Sequence, residues 1–308
     1  MELIKETKEF NIEEKTAIAI GKFDGIHKGH QKIFRNILDK KAVGYKTAVF
    51  TFDPPATAYF SKKKQVIKEL STREEKRKLF EEIGIDYVVE YPLDEQTAKM
   101  LPEDFIKNIL LNQMNMGYLA AGEDVSYGYE GRGNATLLTQ MSMEYEYCVE
   151  IIPKVFYQEE IISSTLIRNK VKLGEMEVVN HLLGRNYSYV GEVVKGNQLG
   201  RTIQMPTANI IPDDGKLLVP NGVYFSKVKL REGEFYGVTN VGYKPTVTSQ
   251  HTIGIETYLF DVNADLYGEI MQVSLLRYKR AEYKFTTFAE LTSQMQKDRE
   301  DARKYFGI

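Results

Sequence analysis

Near Tyr187 the hydrophobic rhythm of this chain changes, and the change leaves room for few architectures. Before it, apolar runs at Thr16 to Ile20, Thr47 to Phe52, Tyr87 to Val89 and Tyr118 to Ala121 alternate with stretches of helical period. One such stretch starts near Gln31, one runs from Arg73 to Glu82 behind the cap-forming Ser71-Thr72, and one runs from Pro102 to Leu111. Strands alternating with helices predict a mainly parallel sheet covered on both faces. After it, period-two runs at Tyr189 to Val194, Val223 to Leu230, Phe235 to Val241, Gly254 to Phe260 and Ile270 to Leu276 are separated by Gly, Asn, Pro and Asp. Such runs without intervening helices predict a small antiparallel barrel. Ser163 to Leu183 reads as helical, and a last helix spans Thr287 to Phe306, its Phe288, Leu291, Met295 and Ala302 sharing a face and Gly307 standing as C-cap. The expected class is α/β plus all-β, with domains 1–184 and 185–308.

Composition narrows the function. The 308 residues are enough for two buried cores, and 43% apolar with 27% charged residues excludes a disordered or fibrous chain. A formal charge of −2 lacks the basic excess of a nucleic-acid binder, so any anion site is local. The single cysteine, Cys148, allows no intrachain disulfide and, within the apolar run Tyr145 to Ile152, reads as a buried inert thiol. MELIKETKEF is charged where a signal peptide is apolar, and no apolar run approaches the ~18 residues of a membrane span. A cytoplasmic location follows as an expectation, with no membrane or nucleic-acid partner. The triplets Asn134-Ala135-Thr136 and Asn186-Tyr187-Ser188 then read as chance glycosylation matches, and Ser61-Lys62-Lys63-Lys64 as a solvated loop.

Three segments carry chemistry. Gly21-Lys22-Phe23-Asp24-Gly25-Ile26-His27-Lys28-Gly29-His30 joins a strand to a helix. A helix N-terminus offers free N–H groups and the positive dipole end, Gly29 admits a phosphate close to the backbone, and two imidazoles one turn apart can donate to phosphate oxygens. A triphosphate cradle, a metal-binding histidine pair and satisfied structural histidines are all open readings. In Ser163-Ser164-Thr165, N-cap residue types open a helix and Arg168 follows one turn later, the makings of a second phosphate clamp or of plain capping. In Pro206-Thr207-Ala208-Asn209 a hydroxyl and an amide oxygen two residues apart on an extended segment face one way, and hard oxygen ligands suit Mg²⁺. Alternation sets Glu256 opposite Ile255 and Thr257, and a carboxylate in an otherwise apolar strand is costly unless exposed or used.

The run GxFDGxHxGH resembles the signature of the HxGH nucleotidyltransferases, in the form found in prokaryotic bifunctional riboflavin kinase/FAD synthetases. Gly122-Glu123-Asp124-Val125-Ser126-Tyr127-Gly128 is similar to that family's G-x-D/N-F-x-F-G, Ile162-Ser163-Ser164-Thr165-Leu166-Ile167-Arg168 to its ISSTxxR, and Gly200-Arg201 through Pro206-Thr207-Ala208-Asn209 to its GRxxxxPTAN. Further companions are Pro220-Asn221-Gly222, Asn240-Val241-Gly242 and Leu266-Tyr267-Gly268. The resemblance implies a Rossmann-like nucleotidyltransferase domain followed by a flavokinase barrel with a C-terminal helix. It further implies that Gly21, Phe23, Asp24, Gly29, Asp124, Ser163, Ser164 and Thr165 bind nucleotide or flavin, while His27, His30 and Arg168 position and stabilise the α-phosphate. In the barrel it makes Gly200, Arg201 and Asn240 binding residues, Thr207 and Asn209 the Mg²⁺ ligands, and Glu256 the base that takes the proton of the riboflavin 5′-hydroxyl. ATP is then the co-substrate, and FMN and FAD the products.

The chain departs from the pattern in places. Asp53-Pro54-Pro55 lacks the histidine of the family's acidic-Pro-His-Pro, Val125-Ser126-Tyr127 softens an aromatic segment, Gln204 replaces a glycine and Leu166 an arginine. Two alternatives stay open: a flavokinase with a silent adenylyltransferase half, and a flavin- or nucleotide-binding regulator without turnover. Another nucleotidyltransferase, such as a pantetheine-phosphate or cytidylyl enzyme or a tRNA-synthetase fragment, explains the HxGH run but leaves the barrel without a purpose.

Overall fold

The structure is a computed structural model that describes residues 1–60, 68–195, 207–244, 252–262 and 264–308. Gly200, Arg201, Gln204 and the lysine run 62–64 lie outside the described residues. The chain forms two compact units, Met1–Ser164 and Thr165–Ile308, a division that precedes the Gly184 expected from sequence. The helical stretch read as one is two helices, α7 (Ser164–Leu173) and α8 (Met176–Leu183), parted at Gly174 with φ 74°. In α8, Asn180 donates to the Leu275 carbonyl and accepts the Tyr187 amide, which ties this helix to the second unit.

The first unit has six parallel strands: β1 (Glu2–Lys5), β2 (Thr16–Ile20), β3 (Lys46–Asp53), β4 (Tyr87–Pro92), β5 (Met116–Gly122) and β6 (Cys148–Ile152). Their order is β1-β4-β3-β2-β5-β6. A two-residue ribbon follows, β7 (Phe156–Tyr157) with β8 (Glu160–Ile161). The connecting helices are α1 (Lys28–Asp39), α2 (Ala56–Tyr59), α3 (Arg73–Ile83), α4 (Glu95–Ala98), α5 (Pro102–Asp104) and α6 (Ala135–Tyr145). Strand β2 is buried on both faces: Ile18 and Ile20 join a core with Phe50, Phe105 and Leu119, while Ala17 and Ala19 join one with Phe34, Val49 and Phe80. Helix α1 seals the second core through Ile33, Phe34 and Ile37, each buried side chain contributing roughly 1.5–3 kcal/mol. The Thr72–Glu75 capping box starts α3 where the sequence placed its signal.

Three local readings differ. Phe105–Gln113, expected as α-helix, is π-helical, and its Phe105, Ile106, Ile109 and Leu110 fill the first core. Cys148, expected buried, is exposed, because β6 is an edge strand whose residues turn alternately to solvent and core. Strand β1, for which the sequence offered no pattern, pairs in parallel with β4.

The second unit is one antiparallel sheet, ordered β10-β13-β12-β11-β14-β9. Its strands are β9 (Tyr187–Glu192), β10 (Thr207–Ile210), β11 (Gly222–Leu230), β12 (Gly233–Lys244), β13 (Thr252–Leu259) and β14 (Ile270–Arg280). The Val194 amide donates to the Asn209 carbonyl at 2.8 Å, and this bridge joins the two edges, so the expected barrel closes. Helix α9 (Phe288–Phe306) is capped by Thr287 and ended by Gly307 at φ 72°, as the sequence indicated. Its buried positions are Ala302 and, unexpectedly, Asp298, while Phe288 is exposed. Arg280 of β14 clamps Asp298 in a bidentate pair, Nη2 to Oδ2 at 2.6 Å and Nε to Oδ1 at 3.2 Å. Truncation would strand the guanidinium, so Asp298→Ala is expected to cost about 3 kcal/mol, read as a lowered melting midpoint.

Candidate active sites

The strand order of the first unit reverses between β2 and β5, and in open α/β sheets ligands bind at the carboxyl ends of strands at such a switch. A cavity of about 410 Å³ opens there, lined by Gly21, Lys22, Phe23 and His30 after β2, by Gly122, Asp124 and Ser126 after β5, and by Phe52, Pro55 and Thr57 after β3. Gly21, Phe23, His30 and Asp124, expected as site residues, are therefore brought together; Asp24, His27 and Gly29 are not part of the lining.

These last three build the wall. His27 N-caps α1, its Nδ1 accepting the His30 amide at 3.4 Å, and its ring stacks on that of His30 with centroids 3.6 Å apart. A Cβ on Gly29 would stand 3.1 Å from the His27 ring, so this glycine admits an imidazole where the sequence reading placed a phosphate. Likewise, a Cβ on Gly21 would stand 3.0 Å from the ring of Phe23, and that ring packs edge-on to His30 at 5.2 Å. Asp24 is buried, and its Oδ1 accepts the Leu70 amide at 2.9 Å and the Ser71 amide at 3.3 Å, anchoring the loop to the start of α3. Ser164 Oγ donates to the Asp24 carbonyl at 2.9 Å, which brings the end of the Ile162-Ser163-Ser164 segment to the same loop. Ser163 stands beside it in sequence, whereas Thr165 and Arg168 follow on α7 within the second unit.

Lys22 and Thr57 were not singled out from sequence. The Lys22 ammonium bonds Thr57 Oγ1 at 2.9 Å and Glu69 at 3.0 Å, and Glu69 also meets Lys76 at 3.3 Å. Burial pushes the Glu69 carboxyl up, but the two ammoniums outweigh it and hold it below its ordinary value. Lys22 lines the cavity, whereas its partner Glu69, shared with Lys76, stands behind it. Asp53 is held by Arg73 at 2.6 Å, which accounts for its carboxylate, and Asp124 meets Lys154 at 3.2 Å.

A second cavity of about 380 Å³ adjoins the first and shares Phe52, Ala56, Phe105, Ser126 and Tyr127 with it. Its further lining is mainly apolar, with Phe60, Leu93, Met100 and Tyr129. One lobe thus carries Lys22, His30 and Asp124 beside apolar side chains, and the other can take a flat apolar ring.

In the barrel, Asn209 of β10 and Asn240 of β12 both stand opposite Glu256 of the intervening β13, so the three side chains share one face of the sheet. Thr207 Oγ1 donates to Glu256 Oε1 at 2.5 Å. Ile255 and Thr257 are fully buried on the opposite face, as alternation required. Asn240 Nδ2 donates to Glu282 at 2.7 Å, a partner the sequence did not indicate. The cluster combines a carboxylate held by a hydroxyl with two amides, and its oxygen donors suit a hard cation.

Residues 9–166 match the family model for FAD synthetase and residues 183–306 that for riboflavin kinase. Similar proteins are the bifunctional riboflavin kinase/FMN adenylyltransferases of Listeria monocytogenes, 33% identical over 94% of this chain and 92% of that one, and of Haemophilus influenzae, 34% identical over 94% of each. That of Escherichia coli K12 is 32% identical over 96% of this chain and 94% of its own length. The chain belongs to the bifunctional riboflavin kinase/FMN adenylyltransferase family. A crystal structure of a Streptococcus pneumoniae protein named for macrolide efflux is similar throughout, with TM-score 0.86, 29% identity and 98% of both chains covered. Among the described residues no helix is long and apolar enough to cross a membrane.

Proposed function

We infer that this chain makes both flavin cofactors: the barrel transfers the γ-phosphoryl group of ATP to riboflavin, and the parallel-sheet unit transfers AMP from a second ATP to FMN, releasing pyrophosphate. One observation carries the reading. A cavity that carries Lys22, His30 and Asp124 shares a wall with a more apolar one at the β2/β5 switch, so a nucleotide and a flavin ring can lie side by side.

In the adenylyl transfer a phosphate oxygen of FMN bonds to the α-phosphorus of ATP and the bond to the β-phosphate bridge breaks. That nucleophile is already ionised, so the protein acts by placement and charge stabilisation and not as a base. His30, held by the His27 and Phe23 rings, donates toward the phosphates, and the Lys22 ammonium adds positive charge to the wall. Asp24, Gly21 and Gly29 keep the loop in shape, and Ser163 and Ser164 support it; Thr165 and Arg168 are assigned to the phosphates by their places in the motif.

In the kinase step Glu256 accepts the proton of the ribityl hydroxyl as its oxygen attacks the γ-phosphorus, with Thr207 holding the carboxylate. Thr207 and Asn209 would hold Mg²⁺, which when bound neutralises phosphate charge. Asn240 fixes the far side of the cluster. Use of ATP and a single cysteine fit the reducing cytoplasm.

Chromatography of the flavins formed with excess MgATP tests the reading. Riboflavin is expected to yield FMN and FAD, and FMN to yield FAD. FMN alone would leave the parallel-sheet unit silent, and tight flavin binding without product would make the chain a regulator.

A further inference from the structure

Glu282 follows the end of β14, outside every motif read from the sequence, and its carboxylate comes down onto β12. Its Oε1 accepts Asn240 Nδ2 at 2.7 Å. A Cβ on Gly242, which follows Asn240 on the same side of the strand, would stand 2.6 Å from Glu282 Cδ, so glycine is what leaves room for the carboxylate. Glycine inside a strand weakens it, and here it opens a seat for a side chain from another segment. That segment is held on both sides of Glu282 by one guanidinium. Arg280 Nη1 donates to the Ala281 carbonyl at 3.0 Å, and its Cζ lies 4.7 Å from the centroid of the Tyr283 ring. Arg280 is itself clamped by Asp298 of α9.

An ionised carboxylate can only accept, so the end of the Asn240 amide turned to Glu282 is the nitrogen, and Oδ1 is the other end. Glu256 stands opposite Asn240 in register, and facing residues on neighbouring strands bring their Cβ atoms to about 5 Å. Two carboxylates therefore compete for one amide nitrogen, Glu282 along β12 over Gly242 and Glu256 across from it on β13. Glu256 already accepts the Thr207 hydroxyl. A second donor would occupy oxygen lone pairs that the ribityl hydroxyl must reach before its proton can move. We propose that Glu282 is a positioning residue of the kinase site: by taking the Asn240 nitrogen it keeps that donor off Glu256 and leaves the base open to the alcohol. The role rests on the reading of Glu256 as base and is exerted through Asn240 alone.

The test is the rate of riboflavin phosphorylation by full-length variants. Glu282→Ala is expected to lower kcat about tenfold with the KM for ATP within about twofold of wild type. Glu282 is exposed, so its truncation opens no cavity, and the melting midpoint is expected to stay within ~2 °C. Glu282→Gln still offers an oxygen to the Asn240 nitrogen and should keep kcat within about threefold. Gly242→Ala retains both side chains but displaces the carboxylate, and should be as slow as Glu282→Ala. On an Asn240→Ala background, which has no nitrogen to release, adding Glu282→Ala should cost less than about twofold. Losses that multiply in this double variant would overturn the proposal, as would a wild-type kcat in Glu282→Ala or a glutamine variant as slow as the alanine one. A raised KM for ATP with unchanged kcat would overturn it too, by moving Glu282 to nucleotide binding. The base assignment itself fails separately, if Glu256→Gln alone keeps the wild-type kinase rate.

Discussion

Replacing His30 by alanine is expected to lower FAD formation from FMN by on the order of 10²–10³-fold, while FMN formation from riboflavin keeps its wild-type rate. The expectation follows from where the imidazole stands. Of the two histidines, His30 lines the cavity at the β2/β5 switch, while His27 caps α1 and backs its neighbour by ring stacking. Alanine favours helix, so α1 should persist, and its core residues Ile33, Phe34 and Ile37 are untouched. The loss then falls on the charge that builds up at the α-phosphate. Asparagine at this position, which keeps an N–H donor on a shorter arm, should recover part of the rate. Separate initial rates from riboflavin and from FMN check this, and an equal fall of both would sink the assignment of one reaction to each unit.

The mirror experiment is Glu256→Gln, expected to slow riboflavin phosphorylation by about 10²–10⁴-fold and to leave FAD formation from FMN unchanged. Glutamine matches glutamate in size and can still accept the Thr207 hydroxyl, so the contact across β10 and β13 survives. What it lacks is a lone pair basic enough to take a proton at neutral pH. A kinase rate within threefold of wild type would remove Glu256 as the base and leave it a structural partner of Thr207.

The fold was legible where periodicity is strong. Alternation in β13 correctly turned Glu256 away from the buried Ile255 and Thr257, and the Ser71-Thr72 signal marked the start of α3. What escaped depends on partners distant in sequence. Asp24 read as a nucleotide contact, but its carboxylate is taken by amides of Leu70 and Ser71, 46 and 47 residues away. Asp298 sits among charged neighbours in α9, so periodicity offered no sign of it, yet it is buried and pairs with Arg280 of β14. Periodicity could not tell the π-helix at Phe105–Gln113 from an α-helix, since both bury the same apolar residues. Cys148 lay in an apolar run, and only the position of β6 at the sheet edge turned it outward. The letters of the motif also do not show that Gly21 and Gly29 stand against rings of the protein itself, those of Phe23 and His27.

The closure of the barrel passes through its chemistry. Asn209 accepts the Val194 amide with its backbone, and the same residue presents its side chain beside Glu256. On the proposed assignment of Mg²⁺ to Thr207 and Asn209, one residue is then both a stitch in the seam and a part of the kinase site. A barrel whose seam has opened is expected to displace that side chain and to lose phosphoryl transfer with it. Phosphorylating activity in this unit should accordingly vanish in step with the protection of the Val194 amide from hydrogen exchange, making turnover itself a gauge of whether the barrel is shut.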